Sequence, residues 1–438
     1  MKKLKLLLLS LLCVLLFINS SSKITLAAAE PPALNSEGVV LMDANSGQVV
    51  FSKNPDTKYF PASTTKILTA LIVLEKSKLD EKVTIGKNPP FAEGTSIGLR
   101  EGEIYTVKEL LSGLLLESGN DCAEALAEHV SSSKEEFAKL MNSRAKELGC
   151  NNSNFKNPSG LPDDEHYTTP RDLALIMKAC TKSSDFVAIS RTVNLDFQPS
   201  AIDGYVRKTN NHNLILFPSS KYYYKYSVAS KKGYTIAAKF TNAISATKNG
   251  KTYVATFLRG DGINEVYKDV VDIFDYGFDN FEDKKIICEG DEVGSFTVSD
   301  GIKIPLLASE DVYYTVPIGD KTNIKSEVKF DTPTGFDDID LKRGDKITTC
   351  SVMIKDEMIK SIDLVSGVNK ITDNAVDSTS NSIGDHKYTF GLSAAIILLL
   401  IFRIISVKRK RSKKSKKKSA MNKDQKYVLK KKSFNTRK

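Results

Sequence analysis

The four residues from Ser63 to Lys66 (Ser-Thr-Thr-Lys) open a predicted helix that places a hydroxyl and an amine together. Apolar side chains follow at helical spacing, at Ile67, Leu68, Leu71 and Leu74. Residues three apart on a helix are neighbours, so Ser63 and Lys66 share one face. A serine becomes a nucleophile when a base takes its proton, and a partly buried lysine with a lowered pKa can do so at neutral pH. The segment therefore predicts a nucleophile and its base in one helical turn.

Two further short motifs follow at intervals of 55 and 113 residues. The first, Ser118-Gly119-Asn120, lies in a loop between two predicted helices. The earlier of these helices begins at a capping box of Thr106 and Glu109. The second motif, Lys231-Lys232-Gly233, lies in a predicted strand over residues 227–240. The chain thus combines a serine–lysine turn, a polar loop between helices and a basic pair on a strand.

In this order the three motifs resemble those of the active-site serine penicillin-recognising superfamily, which reads Ser-x-x-Lys, Ser-x-Asn and Lys-Thr-Gly. The similar flanks are Gly38-Val39-Val40-Leu41-Met42-Asp43, Pro61-Ala62, Leu114-Leu115-Leu116-Glu117 and Asn157-Pro158-Ser159-Gly160-Leu161. Over residues 35–370 the chain resembles the D-alanyl-D-alanine carboxypeptidases, which are low-molecular-weight penicillin-binding proteins. The resemblance implies a serine peptidase that trims peptidoglycan stem peptides and that β-lactam antibiotics acylate.

The resemblance also implies a role for each motif residue. Ser63 is the expected nucleophile on the bond between two terminal D-alanines, with Lys66 as its base. Ser118 is expected to relay the proton to the leaving amine, and Asn120 to hold Lys66 or the substrate amide. The expected substrate-binding residues on the strand are Lys231, Lys232, Gly233, Tyr234 and Thr235. The backbone N–H groups of Ser63 and Tyr234 form the expected oxyanion hole, and no metal or cofactor is expected.

Two positions depart from the family pattern. Lys232 stands where the third motif has threonine or serine, and Lys239 stands where a glycine follows Ala238. The departures leave two alternatives to the carboxypeptidase open. One is a β-lactamase, against which the chain lacks a Glu-x-x-Leu-Asn segment after Ser118 and carries an additional β domain. The other is a catalytically weak protein that binds the cell wall, which Lys232 favours.

The ends of the chain predict export and a membrane anchor. Residues 1–29 combine a lysine-rich start, an apolar run and an Ala27-Ala28-Ala29 cleavage site, the pattern of a signal peptide. Residues 388–407 are long enough to span a bilayer as a helix, after a polar linker over 372–387. The basic tail over 408–438 then favours a cytoplasmic C-terminus and an extracytoplasmic catalytic domain. An interfacial amphipathic helix is the alternative anchor, but the run is apolar all round.

The net charge of +10 is concentrated at the two ends. Residues 408–438 hold 16 lysines and arginines against one aspartate, and residues 1–29 hold four lysines and no acid, so the intervening chain carries −9. An acidic body gives no electrostatic support for binding nucleic acid. The cysteines after the leader are odd in number and scattered, which favours buried free thiols over a disulfide framework.

Element order predicts an α+β fold of two domains. Predicted strands at both ends of residues 30–282, with helices between them, indicate an antiparallel sheet flanked by helices, the β-lactamase/transpeptidase-like class. A second strand is predicted over residues 251–258, beside the one over 227–240. From residue 283 to residue 371 six short apolar stretches recur, with a hairpin turn at Ser299-Asp300-Gly301, which predicts a small all-β domain.

Overall fold

The computed structural model describes residues 30–371, which form seven α-helices and sixteen strands. The helices are α1 (Lys66–Lys76), α2 (Val107–Ser112), α3 (Asn120–Ser131), α4 (Lys134–Glu147), α5 (Pro170–Thr181), α6 (Ser184–Arg191) and α7 (Ile263–Asn280). The strands are β1 (Gly38–Asp43), β2 (Val49–Lys53), β3 (Lys82–Thr84), β4 (Ile104–Thr106), β5 (Asn194–Asp196), β6 (Lys208–Asn210), β7 (Ser227–Thr235), β8 (Lys239–Lys248), β9 (Lys251–Gly260), β10 (Phe281–Ile287), β11 (Glu292–Thr297), β12 (Lys303–Ala308), β13 (Val312–Pro317), β14 (Glu327–Lys329), β15 (Lys346–Ile354) and β16 (Glu357–Ser366). The predicted signal peptide, linker, membrane span and basic tail lie outside the described residues.

A five-stranded antiparallel sheet, in the order β2-β1-β9-β8-β7, forms the centre of the larger domain. Side chains alternate between the two faces of a strand, and in β1 both sets are buried. Val40 and Met42 join the apolar cluster beneath the helical layer, whereas Val39 and Leu41 join a second cluster against α7. Helices therefore cover both faces of the sheet, and the predicted α+β class is confirmed.

Helix α1 is buried within the helical layer, and this burial fixes the position of the turn that precedes it. Its residues from Lys66 to Val73 are all buried. A helix that is apolar on every side belongs in a core. A single 3₁₀ turn over Ala62–Thr65 leads directly into it. The predicted capping box before α2 is present, since Thr106 and Glu109 each accept a hydrogen bond from the other's backbone N–H.

The C-terminal region is all-β, as predicted. Strands β11, β12, β14, β15 and β16 form one antiparallel sheet and β10 pairs with β13. The predicted boundary at residues 282–283 falls inside β10 and stays a prediction. Gln48, in the β1–β2 hairpin, exchanges two hydrogen bonds of 2.8 Å with the backbone of Thr315 in β13. Within residues 30–371 no helix is both long and apolar enough to cross a membrane.

Two details differ from the prediction. The strand expected over residues 227–240 is two strands: β7 ends at Thr235, and β8 begins at Lys239 with a positive φ of 54°. Residues 236–238 contain no glycine, proline or asparagine, so the sequence carries no turn signal there. The five described cysteines are free, but Cys288 is exposed rather than buried, because it follows the end of β10 in a surface turn.

Candidate active site

The start of α1 brings Ser63 and Lys66 together beneath a surface cleft. Lys66 is the first residue of α1 and its side chain is completely buried. Its Nζ atom lies 3.2 Å from Ser63 Oγ and donates hydrogen bonds to Asn120 Oδ1 at 2.6 Å and to the Ser159 carbonyl at 2.7 Å. Lys66 is thus more deeply buried than the partly buried lysine that the sequence predicts.

Burial gives Lys66 the property that a base needs. Loss of solvation holds the pKa of Lys66 well below its usual range, and the charge of Lys231 lowers this pKa further. Both effects favour the neutral amine, which can accept the proton of Ser63. His166 offers no competing base, because burial lowers its pKa to about 4 and its Nε2 is 3.0 Å from Thr65 Oγ1. His166 holds the local structure together.

The second motif follows an irregular end of helix α2. Helix α2 continues as a π-helical turn over Gly113–Glu117, and Ser118 follows with a left-handed φ of 65°. This turn directs the Ser118 hydroxyl to the ammonium of Lys231, 3.0 Å away. Two residues later, Asn120 accepts from Lys66 and donates through Nδ2 to the Glu93 carbonyl at 2.6 Å. The second motif therefore contacts both lysines.

The third motif lies on β7, the edge strand of the central sheet. Lys231 is buried there, and burial together with the charge of Lys232 lowers its pKa to about 7. A Cβ atom on Gly233 would lie 2.6 Å from the backbone nitrogen of Ser63, so only glycine lets β7 come this close. The outer backbone groups of an edge strand have no strand partner and are free to pair with an extended peptide.

A cleft of about 390 Å³ joins most of the predicted residues. The predicted residues that line it are Ser63, Ser118, Lys231, Lys232, Gly233 and Tyr234. Lys66 and Asn120 lie buried beside Ser63, whereas the Thr235 hydroxyl accepts from the Ala238 N–H and stabilises the turn before β8. Sequence reasoning missed the hydrogen-bonded pair of Glu117 and His212, whose Oε2 and Nε2 atoms are 2.7 Å apart and which also lines the cleft. No sequence motif predicts an exposed histidine in this cleft.

The cleft carries excess positive charge. This charge comes from Lys231, which is buried, and Lys232, which is half-buried, and within residues 30–371 no carboxylate lies within 4 Å of either ammonium group. Concentrated charge of one sign in a cleft attracts ligands of the opposite sign. A peptide ending in a free carboxylate supplies that charge. Residues 30–371 contain no cluster of histidine, cysteine and acidic side chains suited to a metal ion.

Comparison with known proteins decides the family. The family profile described as D-alanyl-D-alanine carboxypeptidase matches residues 25–261, more than half of the chain. The chain belongs to this family. A second profile, the C-terminal domain of penicillin-binding protein 5, matches residues 281–370. The carboxypeptidase is thus a serine peptidase, and the predicted family, fold class and enzyme class are confirmed.

Individual relatives of the carboxypeptidase agree with both profiles. D-alanyl-D-alanine carboxypeptidase DacF of Bacillus subtilis is 32% identical over 305 residues, which cover 68% of this chain and 77% of the relative. DacC of Escherichia coli is 29% identical over 77% of this chain and 84% of its own length. The crystal structure of penicillin-binding protein 5 from Haemophilus influenzae superposes with a TM-score of 0.62 at 26% identity, over 78% of this chain and 99% of that one.

The pH dependence of the carboxypeptidase follows from Lys231. Lys231 is predicted to bind the substrate carboxylate, which only its protonated form would attract, and its pKa is lowered to about 7. We therefore expect kcat/KM to fall as the pH rises through about 7, far below the pKa of an ordinary lysine, since kcat/KM reports the free enzyme. Release of D-alanine from diacetyl-Lys-D-Ala-D-Ala across the pH range measures this limb. A profile that stays flat up to about pH 10 contradicts the prediction.

Proposed function

We propose that the chain removes the terminal D-alanine from peptidoglycan stem pentapeptides, with Ser63 as the nucleophile and Lys66 as its general base. The observation that carries this proposal is the contact of 3.2 Å between Ser63 Oγ and a buried lysine whose pKa is held low. A neutral amine at hydrogen-bond distance from a hydroxyl is the arrangement that general-base activation requires.

In the first step the Ser63 oxygen bonds to the carbonyl carbon between the two D-alanines while Lys66 takes the hydroxyl proton. Collapse of the tetrahedral intermediate breaks the peptide bond. The proton that Lys66 took passes through Ser118 to the leaving amine, and the Ser118 hydroxyl lines the cleft and accepts a hydrogen bond from Lys231. Backbone N–H groups of Ser63 and Tyr234 stabilise the oxyanion, and Lys231 with Lys232 binds the terminal carboxylate.

Water then hydrolyses the acyl-enzyme and restores the Ser63 hydroxyl. A β-lactam antibiotic enters the same first step, but opening its ring leaves the amine attached to the acyl group. No leaving group departs to make room for water, so the adduct persists. We therefore propose β-lactams as covalent inhibitors of the enzyme.

Mass spectrometry of the full chain treated with penicillin tests the nucleophile. We expect the adduct on the peptide that contains Ser63, and an adduct on Ser118, or none at all, contradicts the assignment. The same protein incubated with diacetyl-Lys-D-Ala-D-Ala should release free D-alanine. Labelling without any release of D-alanine favours the second candidate, a catalytically weak cell-wall-binding protein, for which Lys232 is the specific observation. Rapid turnover of nitrocefin is the result that favours a β-lactamase.

We also propose that the enzyme acts outside the cell and is held by a single span. The support comes from sequence alone: the leader-like residues 1–29, the apolar residues 388–407 and the basic residues 408–438. In intact cells, protease added outside should cut the linker over 372–387 but spare an epitope placed after Lys438. Cleavage of that epitope from outside rules out the span and favours an interfacial anchor.

A further inference from the structure

Asp121, the residue after Asn120, is a completely buried carboxylate with no role in the mechanism above. It accepts hydrogen bonds from Ser96 Oγ at 2.7 Å and from the backbone N–H groups of Ile97, Leu99 and Cys122 at 2.9–3.1 Å. All four donors are neutral. Burial of a polar group is tolerated when hydrogen bonds replace its hydration, and these four donors do so for the carboxyl oxygens of Asp121.

The donors to Asp121 belong to a wall of the cleft. We call residues 93–99 the wall segment, because its Thr95 lines the cleft. Asn120 holds the first part of this segment, by donating from Nδ2 to the Glu93 carbonyl and from its backbone N–H to the Thr95 carbonyl, both at 2.6 Å. Asp121 holds the rest of the segment, by accepting hydrogen bonds from Ser96, Ile97 and Leu99. Two adjacent residues at the start of α3 therefore fasten the wall segment, and one of them also bonds to Lys66.

Asp121 is also placed to balance the positive charge of the site. The groups that act electrostatically on Lys66 come from several elements: Lys231 on β7, Cys122 and Asp121 on α3, and His166 from the segment before α5. Burial raises the pKa of the Cys122 thiol and lowers that of His166, so both are neutral near pH 7. The carboxyl group of Asp121 opposes the lowering of the Lys66 pKa by burial and by Lys231, and it is the smallest of the effects on that pKa.

We propose that Asp121 is a positioning residue for the peptidase reaction, which fixes the wall segment and places a buried carboxyl group next in the chain to Asn120, the residue that holds Lys66. The inference rests on the proposed function, because it takes Lys66 as the base of Ser63. Its two parts predict two separate effects of substitution, one on substrate binding and one on pH dependence.

The test is Asp121→Asn in the full chain, followed by the rate constant of Ser63 acylation with a fluorescent penicillin as a function of pH. Removing the carboxyl group lowers the pKa of Lys66 further, so the acidic limb of the pH profile of acylation should move to lower pH. KM for diacetyl-Lys-D-Ala-D-Ala should rise as well, because an amide at this place presents donors to the N–H groups of the wall segment.

Ser96→Ala is the matched control, since it removes one hydrogen bond to Asp121 and leaves the carboxyl group in place. Ser96→Ala should raise KM and leave the acidic limb of the pH profile of acylation unchanged. Asp121→Glu should also keep the wild-type limb, and thermal unfolding checks that each variant folds. If Asp121→Asn does not fold, Asp121→Ser serves as the neutral variant. A limb that stays fixed in the neutral variant overturns the inference, and so does a failure of every neutral variant to fold.

Failure of the inference and failure of the proposed function give different results. If wild-type Ser63 takes no label from the fluorescent penicillin, the proposed function is wrong. If wild-type Ser63 is labelled and Asp121→Asn has the wild-type pH profile, the proposed function stands and Asp121 acts only on structure.

Discussion

Replacing Lys66 with methionine will lower the rate constant of Ser63 acylation by roughly 10²- to 10⁴-fold, the usual contribution of a general base. Methionine keeps most of the length of the side chain and removes the amine that contacts Ser63 Oγ. Among residues 30–371, Lys66 is the one basic group in hydrogen-bond contact with the Ser63 hydroxyl, and burial and a contact with Thr65 hold His166 in a structural role. The measurement is the rate of labelling by a fluorescent penicillin, with the site confirmed by mass spectrometry.

This substitution also has a structural cost, which the complete burial of Lys66 makes larger than the sequence suggests. Without the ammonium, Asn120 Oδ1 and the Ser159 carbonyl lose their donor. An unsatisfied buried polar group costs about 1–3 kcal/mol, so the melting temperature should fall. Lower activity must therefore be separated from lower stability.

Lys370→Met is the matched control for that cost. Lys370 is a second buried lysine, in the C-terminal domain, and it donates to the backbone carbonyls of Phe336, Asp337 and Ile339. Its loss should lower the melting temperature and leave acylation of Ser63 unchanged at temperatures where the protein is folded. Equal losses of acylation in the two variants contradict the assignment of Lys66 as the base.

Much of the fold follows from local patterns. Short apolar stretches with a turn at Ser299-Asp300-Gly301 predict the C-terminal strands, and the Thr106–Glu109 capping box predicts the start of α2. Each of these signals acts between neighbours in the chain, so the sequence is enough to find it. The order and spacing of the three motifs point to the family in a different way. They are not local folding signals but match the pattern of a known family.

Other features depend on packing between distant segments. The burial of Lys66 results from Asn120 and Ser159, far along the chain, closing around one amine. The Glu117–His212 pair at the cleft depends on the path of the segment before β7, which no periodicity marks. The wall segment is likewise held by Asn120 and Asp121, which lie more than twenty residues further along the chain. Contacts of this kind have no local signature and need the structure.

Lys232 is the position where the largest gain in activity is expected. The family has a hydroxyl here, which donates a hydrogen bond to the substrate carboxylate beside the lysine at position 231. A hydrogen bond to a charged group contributes about 1.5–3 kcal/mol. Lys232→Thr should therefore raise kcat/KM for release of D-alanine by roughly 10- to 100-fold, since each 1.36 kcal/mol is about tenfold. The Lys232 ammonium can attract the carboxylate by its charge, but it cannot reproduce the directed hydrogen bond of a hydroxyl, because it is a point charge on a flexible side chain.

The same substitution has a second consequence, which separates the charge of Lys232 from the missing hydroxyl. The charge of Lys232 is one of the causes that lower the pKa of Lys231, after burial itself. Both Lys232→Thr and Lys232→Met should therefore move the alkaline limb of kcat/KM to higher pH. Only threonine supplies a hydroxyl, so only Lys232→Thr should raise the maximum of the profile. If Lys232→Thr instead slows release of D-alanine, the lysine is an adapted binding group. If neither variant nor the wild type releases D-alanine while all bind penicillin, the protein is a cell-wall-binding scaffold.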